Sequence, residues 1–505
     1  MKLARSAAQA AAALLTALLC LSCATDATSG ASRRSAGGSA GGSAPFPLAA
    51  AGESFGKGGL SSYARESLPS FSTFALSNGM PVIVKRSSAN RVEHIALAIR
   101  GGSAASSPAE AGIEELALKV MARGSSKHPY AEIQSLLDET SSGIGSYSTL
   151  DCSVYSLTTL DKYFARLFPV WVDTLVAPAF KQEDFDKELS EARLALEAKE
   201  QDPWAKTGIE MNKIFFAGHP YAASPDGTEE SLAAASLAEI KDWYSARMRS
   251  GSLFVVAVGD FDPRALRAEL EASLGKLPAS EPTALHPAPP IPRRTAWSLA
   301  KVEFPQSKGM GYLRGDFAAP SYSDPDYMSL SIGMKMLTDL LFNVVRDKHA
   351  AVYSPSAFIR GFDANYGSIS LFKTKSPAQA KAYVDEAVAI LASGRTVAVD
   401  PRSSKDGFAP FADALDAAKA RFVNELYESQ ATNAAIAERI ISSAILTGDY
   451  RSYLLDVDRI RAVKADDVKA ALDKYFLKGS IAWVALGSAD VLIPVQQPDF
   501  ERFER

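Results

Sequence analysis

Glu115 and Lys119 stand four residues apart in the segment from Gly112 to Ser125, with the acidic residue first. Apolar residues recur in this segment at helical spacing and predict a helix with one buried face: Ile113, Leu116, Ala117, Val120 and Met121. A glycine at position 124 is suited to close such a helix. Because a glutamate four residues before a lysine is the favoured order for an ion pair on a helix, the spacing predicts a Glu115–Lys119 pair.

The histidines do not form the pattern of a metal-binding helix. No two of the five are four residues apart, the spacing that places two zinc ligands on one helix face. His219 lies in the turn Gly-His-Pro-Tyr-Ala, and we interpret it as a structural residue. The sequence therefore predicts no zinc site from its histidines: His94, His128, His219, His286 and His349.

The order of short motifs around this helix is informative. TFALSNGMPVIVKR and HIALAIRGGS precede the helix, and SGIGSYSTLDCSVYSLTTL, AGHPYAASPDGTEE and FVVAVGDFD follow it. This succession resembles the insulinase-like (M16) metallopeptidases, in particular the halves of their smaller two-domain members. The resemblance extends from about residue 71 to the C-terminus. It implies a zinc-binding His-x-x-Glu-His motif in the helix, and that motif is absent here.

The resemblance assigns four positions of the lost zinc site. The two histidine ligands fall on Glu115 and Lys119, and the catalytic glutamate falls on Leu118. A third zinc ligand, seven residues after a glutamate that matches Glu188, falls on Ala195. An ammonium repels zinc and a leucine cannot act as a base. We expect the Glu115–Lys119 pair to occupy the space of the metal.

A second set of residues lies in the other half of the chain. In LLFNVVRDKHAAVYSPSA, Arg346 and Tyr353 are seven residues apart. In active relatives such a pair faces the zinc from the C-terminal domain, so the resemblance implies that these two donors hold substrate and stabilise the oxyanion. The alternative is a solvated arginine and a tyrosine at the edge of the core. A substrate-binding edge strand, which the resemblance places at 145–148, is doubtful because Gly145 weakens a strand.

Composition excludes some classes of function. A chain of 505 residues can form two large domains, and a net charge of −4 gives no indication of a nucleic-acid partner. Two of the three cysteines, Cys20 and Cys23, lie in the N-terminal targeting region, so no disulfide framework is predicted. Cys152 is interpreted as a small buried side chain in a strand.

The first 23 residues have the charged start and short apolar run of a secretory signal peptide. The ending LCLSC resembles a relaxed bacterial lipoprotein box, which makes Cys23 the candidate lipidation site. The alternative is a plain signal peptide cut near Ala24. Residues 24–65 are rich in Ser, Gly and Ala and predict a flexible tether. Together these features predict an exported, lipid-anchored protein of a bacterial cell envelope.

The folded part is predicted to consist of two homologous domains, 66–275 and 299–505, joined by a proline-rich linker at 276–298. A helix, a basic turn, an apolar strand and a glycine occur twice, and Gly259 and Gly487 mark the same point 228 residues apart. Each domain is expected to be α+β, with a mostly antiparallel sheet and helices on one face. The resemblance implies a mitochondrial-processing-peptidase-like fold.

The functional hypothesis follows from the two sets of residues. Some members of this family work as two different chains, one with the zinc and one with the Arg/Tyr pair. The pattern here favours the non-catalytic subunit of a heterodimeric zinc peptidase for unfolded peptides, inactive alone, with zinc expected only in the partner. The alternative is a catalytically inactive scaffold or peptide-binding lipoprotein. A third interpretation, an autonomous peptidase with other ligands, conflicts with Leu118 and Lys119.

Overall fold

The computed structural model describes residues 60–281, 288–400, 402 and 404–503. The predicted signal peptide, Cys23 and residues 24–59 of the predicted tether lie outside this range. The predicted tether boundary at residue 65 is wrong. Helix α1 spans Ser62–Ser67, and its Ala64 is fully buried. The folded chain therefore begins by about Leu60.

The first half of the chain is a six-stranded sheet with its helices. The strand order is β1-β2-β6-β3-β5-β4, and the β2–β6 pair is parallel while the other pairs are antiparallel. After α1 the elements are β1 Phe71–Ala75, β2 Pro81–Arg86, β3 Val92–Arg100, α2 Ile113–Met121, α3 Tyr130–Thr140, β4 Gly143–Ser148, β5 Cys152–Leu160, α4 Asp161–Val176, α5 Gln182–Gln201, α6 Pro203–Phe215, α7 Glu229–Ala234, α8 Leu237–Arg247, β6 Leu253–Gly259 and α9 Pro263–Ala272.

The second half repeats this plan with a five-stranded sheet of order β7-β13-β8-β10-β9. Only its β7–β13 pair is parallel. The elements are β7 Ser298–Glu303, β8 Gly311–Ala318, α10 Asp326–Leu341, a π-helix Phe342–Lys348, β9 Ser354–Ile359, β10 Tyr366–Thr374, α11 Pro377–Ala392, the two-stranded β11 Arg395–Val397 and β12 Phe408–Pro410, α12 Phe411–Glu428, α13 Asn433–Thr447, α14 Asp456–Ala462, α15 Ala465–Ala471, a second π-helix Leu472–Leu477, β13 Ala482–Gly487 and α16 Ala489–Leu492.

The two sheets confirm the predicted duplication. Strand β6 lies between a parallel and an antiparallel neighbour, and β13 lies between the same two kinds of neighbour. Gly259 and Gly487 end these equivalent strands. The α+β class with mostly antiparallel sheets is therefore confirmed. Cys152 is buried in β5 as predicted, and burial raises the pKa of its thiol to about 12.

The prediction that helices cover one face of each sheet is incomplete. Each half also supplies a helix that covers the opposite face of the sheet in the other half. Helix α13 of the second half packs Ile440 and Ala444 against Ala96 and Val256 of the first sheet. In return, α6 of the first half packs on β8 and β13 of the second sheet. Each sheet thus has its own helices on one face and an exchanged helix on the other.

A buried polar contact joins the halves beside the linker. The Asp151 carboxylate accepts hydrogen bonds from the Tyr221 hydroxyl and from the Asp363 N–H, the latter at 3.0 Å. His219 bonds the Pro289 carbonyl at 2.6 Å, which confirms its structural role. Between Lys276 and Ser298 the described residues form no helix or strand.

The long helix from Asp326 to Lys348 is apolar enough to span a membrane by length and composition. However, 72% of its most apolar window is buried inside the protein. Such burial is typical of a core helix, and this one packs against α11, α15 and β9. It carries Arg346 at its C-terminal end.

Candidate functional site

Helix α2 forms as predicted and carries the expected ion pair. All five of its predicted core residues are at most 4% exposed. The Lys119 Nζ lies 3.3 Å from Glu115 Oε1, and the lysine side chain is 42% exposed. One side of the helix is thus anchored in the core while the charge pair lies on the other side.

The ion pair borders a small cavity where the resemblance places the metal. This cavity has a volume of about 30 Å³, and Glu115, Lys119 and Ala195 all contribute to its lining. A second pair, Lys199 Nζ to Asp226 Oδ1 at 2.6 Å, lies on the same lining. The volume is about that needed for one water molecule. Two opposed charge pairs therefore border the space between α2 and α5.

These residues do not fit a zinc ion. A zinc site needs three or four nitrogen, sulfur or oxygen donors around one point. Here two carboxylates are each paired with an ammonium group, and the third-ligand position is an alanine. Among the described residues, no group of three or more His, Cys, Asp or Glu side chains could hold a metal. No chemistry through a bound metal follows from this half.

Leu118 is separated from the other three positions. Its side chain is fully buried in the core formed by α2, α4 and the first sheet, and it does not line the small cavity. A glutamate placed there would have to leave an apolar environment to reach a substrate. The structure therefore brings together Glu115, Lys119 and Ala195 but not Leu118.

A buried ion pair between Arg123 and Glu188 holds α2 against α5. Only Glu188 was singled out from the sequence. Arg123 Nε bonds the carboxylate of Glu188, and both side chains are 8% exposed. The guanidinium also lies 4.5 Å from the Tyr130 ring centroid. The pair fixes the position of Ala195 relative to α2. No local pattern links residues 65 positions apart, so Arg123 had no signal in the sequence.

Glu114, the neighbour of Glu115, was also missed. It is 4% exposed, and burial raises the pKa of its carboxyl to about 6, against smaller lowering effects of Ser153 and Arg247. The side chain faces the first sheet rather than the small cavity, whose lining does not include it. A glutamate in the first turn of a helix is ordinarily exposed, so the sequence did not indicate that Glu114 is buried.

Arg346 lies in the π-helix that extends α10. Its guanidinium stacks 4.5 Å from the Phe342 ring, and Nε donates to Asp347 Oδ1 at 2.7 Å. The hydrogen bond to Asp347 raises the pKa of the guanidinium. The side chain is 39% exposed. π-Helical turns are often found at functional sites, and this one presents a charged donor to solvent.

Tyr353 is 84% exposed and immediately precedes β9. The backbone between the two donors is tightly turned, because Ala350 adopts a φ of +49° and its N–H bonds the Arg346 carbonyl at 2.8 Å. Ala351 N–H bonds the Val345 carbonyl at 2.9 Å. The Tyr353 side chain is therefore accessible from solvent.

The two sets of predicted residues lie in different halves. Helix α2 packs on α8, α5 and β4, whereas the π-helix packs on α10, α11 and β9. No element that contacts one of these helices extensively also contacts the other. The two sets are therefore positioned independently of each other.

Both sheets end in an edge strand near a predicted site. Strand β4 pairs only with β5, and there is open space beside Gly143. Strand β9 is protected, because Thr338 Oγ1 bonds both the N–H and the C=O of Ala357, at 2.9 and 2.7 Å. Pro355 of β9 has no N–H to donate. A peptide therefore has no open edge to pair with at these positions of β9.

Comparison with known proteins identifies the family. The model of the insulinase family (peptidase family M16) matches residues 81–224, and the model of the peptidase M16 inactive domain matches residues 234–393. The chain belongs to the insulinase-like M16 family. It is a degenerate M16 protein, similar to a non-peptidase homolog and to an M16 inactive domain. The resemblance assigns the zinc-site positions to Glu115, Leu118, Lys119 and Ala195.

Two curated relatives of this M16 chain are distant. An uncharacterized zinc protease of Streptomyces coelicolor is 22% identical over 285 residues, covering 55% of this chain and 62% of the relative. The non-peptidase homolog YmxG of Helicobacter pylori is 24% identical over 199 residues, covering 39% and 46%. The matches thus span less than two thirds of either relative.

Solved structures show the same M16 fold over most of the chain. A peptidase M16 inactive domain from Pseudomonas fluorescens has a TM-score of 0.71 at 20% identity and covers 86% of this chain and 100% of its own. A Helicobacter pylori protease has a TM-score of 0.73 at 14% identity, covering 83% and 99%. The periplasmic protease PqqL of Escherichia coli has a TM-score of 0.68 at 14% identity, covering 85% and 49%.

Proposed function

We propose that this chain is the non-catalytic subunit of a heterodimeric M16-type zinc peptidase. The observation that carries the proposal is the contrast between the halves. The first half has the Glu115–Lys119 ion pair where the resemblance places two zinc ligands, and a second ion pair lines the same cavity. The second half presents Arg346 and the 84% exposed Tyr353 to solvent. Alone, such a chain lacks both the base and the metal, so it cleaves no peptide.

In the proposed complex, a zinc-bearing M16 partner supplies the metal that activates the attacking water. Arg346 and Tyr353 act on the substrate. Because Asp347 uses the Nε edge of the guanidinium, its terminal nitrogens remain donors for a peptide carbonyl. The Tyr353 hydroxyl donates to the same oxygen as it becomes an oxyanion. Donors placed where charge develops lower the barrier without a covalent step.

The proposed substrate is an unfolded peptide held by side chains of this subunit. Strand β9 follows Tyr353, but Thr338 and Pro355 close its edge to strand addition. In the second half, this chain therefore contributes the side-chain donors of Arg346 and Tyr353 rather than strand pairing along β9.

The test is to copurify the zinc-bearing partner from native membranes and to compare peptide cleavage at equal complex concentration. Tyr353→Phe keeps the ring and deletes the hydroxyl, so assembly is retained. Removing one oxyanion donor is expected to lower turnover by roughly 10²–10³-fold. Tyr427→Phe, at another exposed tyrosine of 43% exposure, is the matched control and should leave turnover unchanged.

The second candidate is a catalytically inactive scaffold or peptide-binding envelope protein. It is supported by the relative described as a non-peptidase homolog and by the similar structure described as a peptidase M16 inactive domain. Equal turnover with wild-type and Tyr353→Phe subunits, or copurification without any zinc-bearing relative, would replace the peptidase-subunit proposal with this one.

We further propose that the protein is exported and anchored in a bacterial envelope through Cys23. The support is the signal-like N-terminus of the sequence and the structural similarity to a periplasmic protease. Cys23→Ser should move the protein from the detergent phase to the aqueous phase in a phase-separation assay, because one lost acyl anchor removes its apolar attachment. Unchanged partitioning would contradict lipid anchoring. The alternative, a plain signal peptide cut near Ala24, would then be preferred.

A further inference from the structure

The turn between the two proposed donors, residues 347–352, has a backbone that needs support. We call it the donor turn. Ala350 has a φ of +49°, in the left-handed region that residues with a Cβ rarely adopt. Such a conformation persists only where the surrounding contacts hold it. Because Arg346 and Tyr353 extend into solvent, their relative position depends on what holds the donor turn.

His349 attaches the donor turn to helix α11. Its ring is stacked on that of Tyr383, with the centroids 3.7 Å apart and an angle of 4° between the planes. Its Nε2 lies 2.9 Å from Glu386 Oε2. Because an ionised carboxylate can only accept, Nε2 is the donor. The imidazole is thus held at one face by an aromatic ring and at one edge by a carboxylate.

Glu386 holds a second residue of the donor turn. Lys348 Nζ donates to Glu386 Oε1 at 2.5 Å, while His349 occupies Oε2. Burial raises the pKa of this carboxyl, but the hydrogen bonds and charges of Lys348 and His349 outweigh burial and lower it. The carboxylate is therefore charged at neutral pH and binds two adjacent residues, one with each oxygen.

The backbone of the donor turn links His349 to the two donors. The N–H of Ala350, the next residue, bonds the carbonyl of Arg346 at 2.8 Å. The arginine and the tyrosine lie close together, since Asp347 and, to a smaller extent, Tyr353 raise the pKa of the Arg346 guanidinium. A displacement of the imidazole would therefore move the backbone that carries both donors.

We propose that Tyr383 and Glu386 form a clamp on His349 that positions Arg346 and Tyr353 toward one substrate carbonyl, an inference that rests on the proposed peptidase-subunit role. The three clamp residues are positioning residues, because they act through the donor turn and not on the substrate. Tyr383 and Glu386 lie three residues apart on α11, whose buried face is part of the core of the second half. The clamp thus fixes exposed donors to a rigid element.

The first measurement uses the full mature chain without a partner. Glu386→Ala removes both bonds to the donor turn, and the fold should tolerate it because the glutamate side chain is partly exposed. Hydrogen exchange at the Ala350 amide should become at least about fivefold faster, because the turn opens more often. Tyr383→Phe keeps the stacked ring and is the matched control, with exchange within about twofold of wild type. Thermal unfolding checks both variants.

The second measurement is peptide cleavage by the complex with the zinc-bearing partner. Glu386→Ala should lower kcat at least about tenfold and change KM less than about threefold, because misplaced donors lose mainly contacts made in the transition state. In the Tyr353→Phe background the same substitution should lower kcat by a smaller factor, because one of the positioned groups is already absent. A purely structural role would give the same factor in both backgrounds.

The outcomes separate the clamp from the function on which it rests. Unchanged amide exchange in Glu386→Ala would show that the clamp does not hold the donor turn. Equal kcat losses in the wild-type and Tyr353→Phe backgrounds would overturn the positioning role. If instead Tyr353→Phe alone leaves turnover unchanged, the peptidase-subunit proposal fails, and the positioning role fails with it.

Discussion

At the residue scale, the lost zinc site retains an ordered polar arrangement. Glu115 and Lys119 pair across one helical turn, and Lys199 and Asp226 pair opposite them. Exposed pairs of this kind contribute little to stability, typically about 0–1 kcal/mol. Their consequence is chemical, because the ammonium groups exclude a divalent cation from the position between α2 and α5.

The first prediction at this scale concerns metal binding. The double variant Glu115→His and Lys119→His should bind no stoichiometric zinc, because Ala195 supplies no third ligand. Adding Ala195→Glu, at a position that is exposed on the same cavity, should raise zinc binding to about one ion per chain. Neither variant should cleave peptide, because Leu118 is not a base. The measurements are metal analysis and chelator-sensitive peptide cleavage.

The wild-type chain is the control for this series, and we expect it to carry no tight zinc. One tightly bound zinc in the wild-type or double variant, with chelator-sensitive cleavage, would contradict the interpretation of these positions.

At the scale of elements, a buried lysine of α11 contacts the C-terminal segment. Lys381 is fully buried, pairs with Asp385 at 2.7 Å and holds the backbone of residues 499 and 502. It also lies near the rings of Trp297 and Trp483. The segment after α16 is thus attached to α11 through one ammonium group.

We predict that Lys381→Met lowers the free energy of unfolding by about 3–5 kcal/mol, because Asp385 is left buried without its cation. The C-terminal residues should also become sensitive to carboxypeptidase. Lys375→Met, at an exposed lysine just before the same helix, should change the stability by less than about 0.5 kcal/mol. Equal urea midpoints for the two variants would show that the buried pair contributes nothing.

Elements with a regular period were predictable from the sequence, and others were not. The helical spacing between Ile113 and Met121 coincides with the observed bounds of α2. Helix α4 contains Pro169, which ordinarily ends a helix, so no local rule indicates it. The π-helix at Phe342–Lys348 has the same apolar pattern as an α-helix, so the spacing of its apolar residues cannot distinguish the two.

The candidate site was predictable only as far as local spacing reaches. The Glu115–Lys119 pair follows from a spacing of four residues, whereas the exposure of Tyr353 is known only from the structure. The Arg123–Glu188 pair and the Lys199–Asp226 pair join elements far apart in sequence, and a single sequence carries no signal for such contacts. The helix exchange was missed for the same reason, because an apolar face does not specify which helix covers it.

At the scale of the whole molecule, the contact between the halves is sensitive to pH. Burial raises the pKa of Asp151 to about 6, despite the lowering effect of the Tyr221 hydroxyl and the Asp363 N–H. An unfolded aspartate titrates near 3.9. Because the folded state holds the proton more tightly, this group stabilises the fold at low pH, and the contribution is lost as the pH rises through about 6.

We therefore predict that wild-type protein loses about 1 kcal/mol more stability than Asp151→Asn between pH 5 and pH 7. The variant retains the shape of the side chain but has no proton to release. Urea unfolding at the two pH values gives the difference, and parallel slopes for both proteins would contradict the shift. Asp363 and His219 lie beside the same contact, and both are unchanged in the comparison.

The exchange of helices α6 and α13 also affects the order of events during biosynthesis. Domains usually fold from the N-terminus as they emerge from the ribosome or a membrane channel. Here the first sheet is complete at Gly259, but the helix that covers its second face begins about 170 residues later, at Asn433. Until that helix arrives, Ala96, Val256 and their neighbours present an apolar surface to solvent. A newly made chain is therefore expected to need a chaperone until α13 has been synthesised.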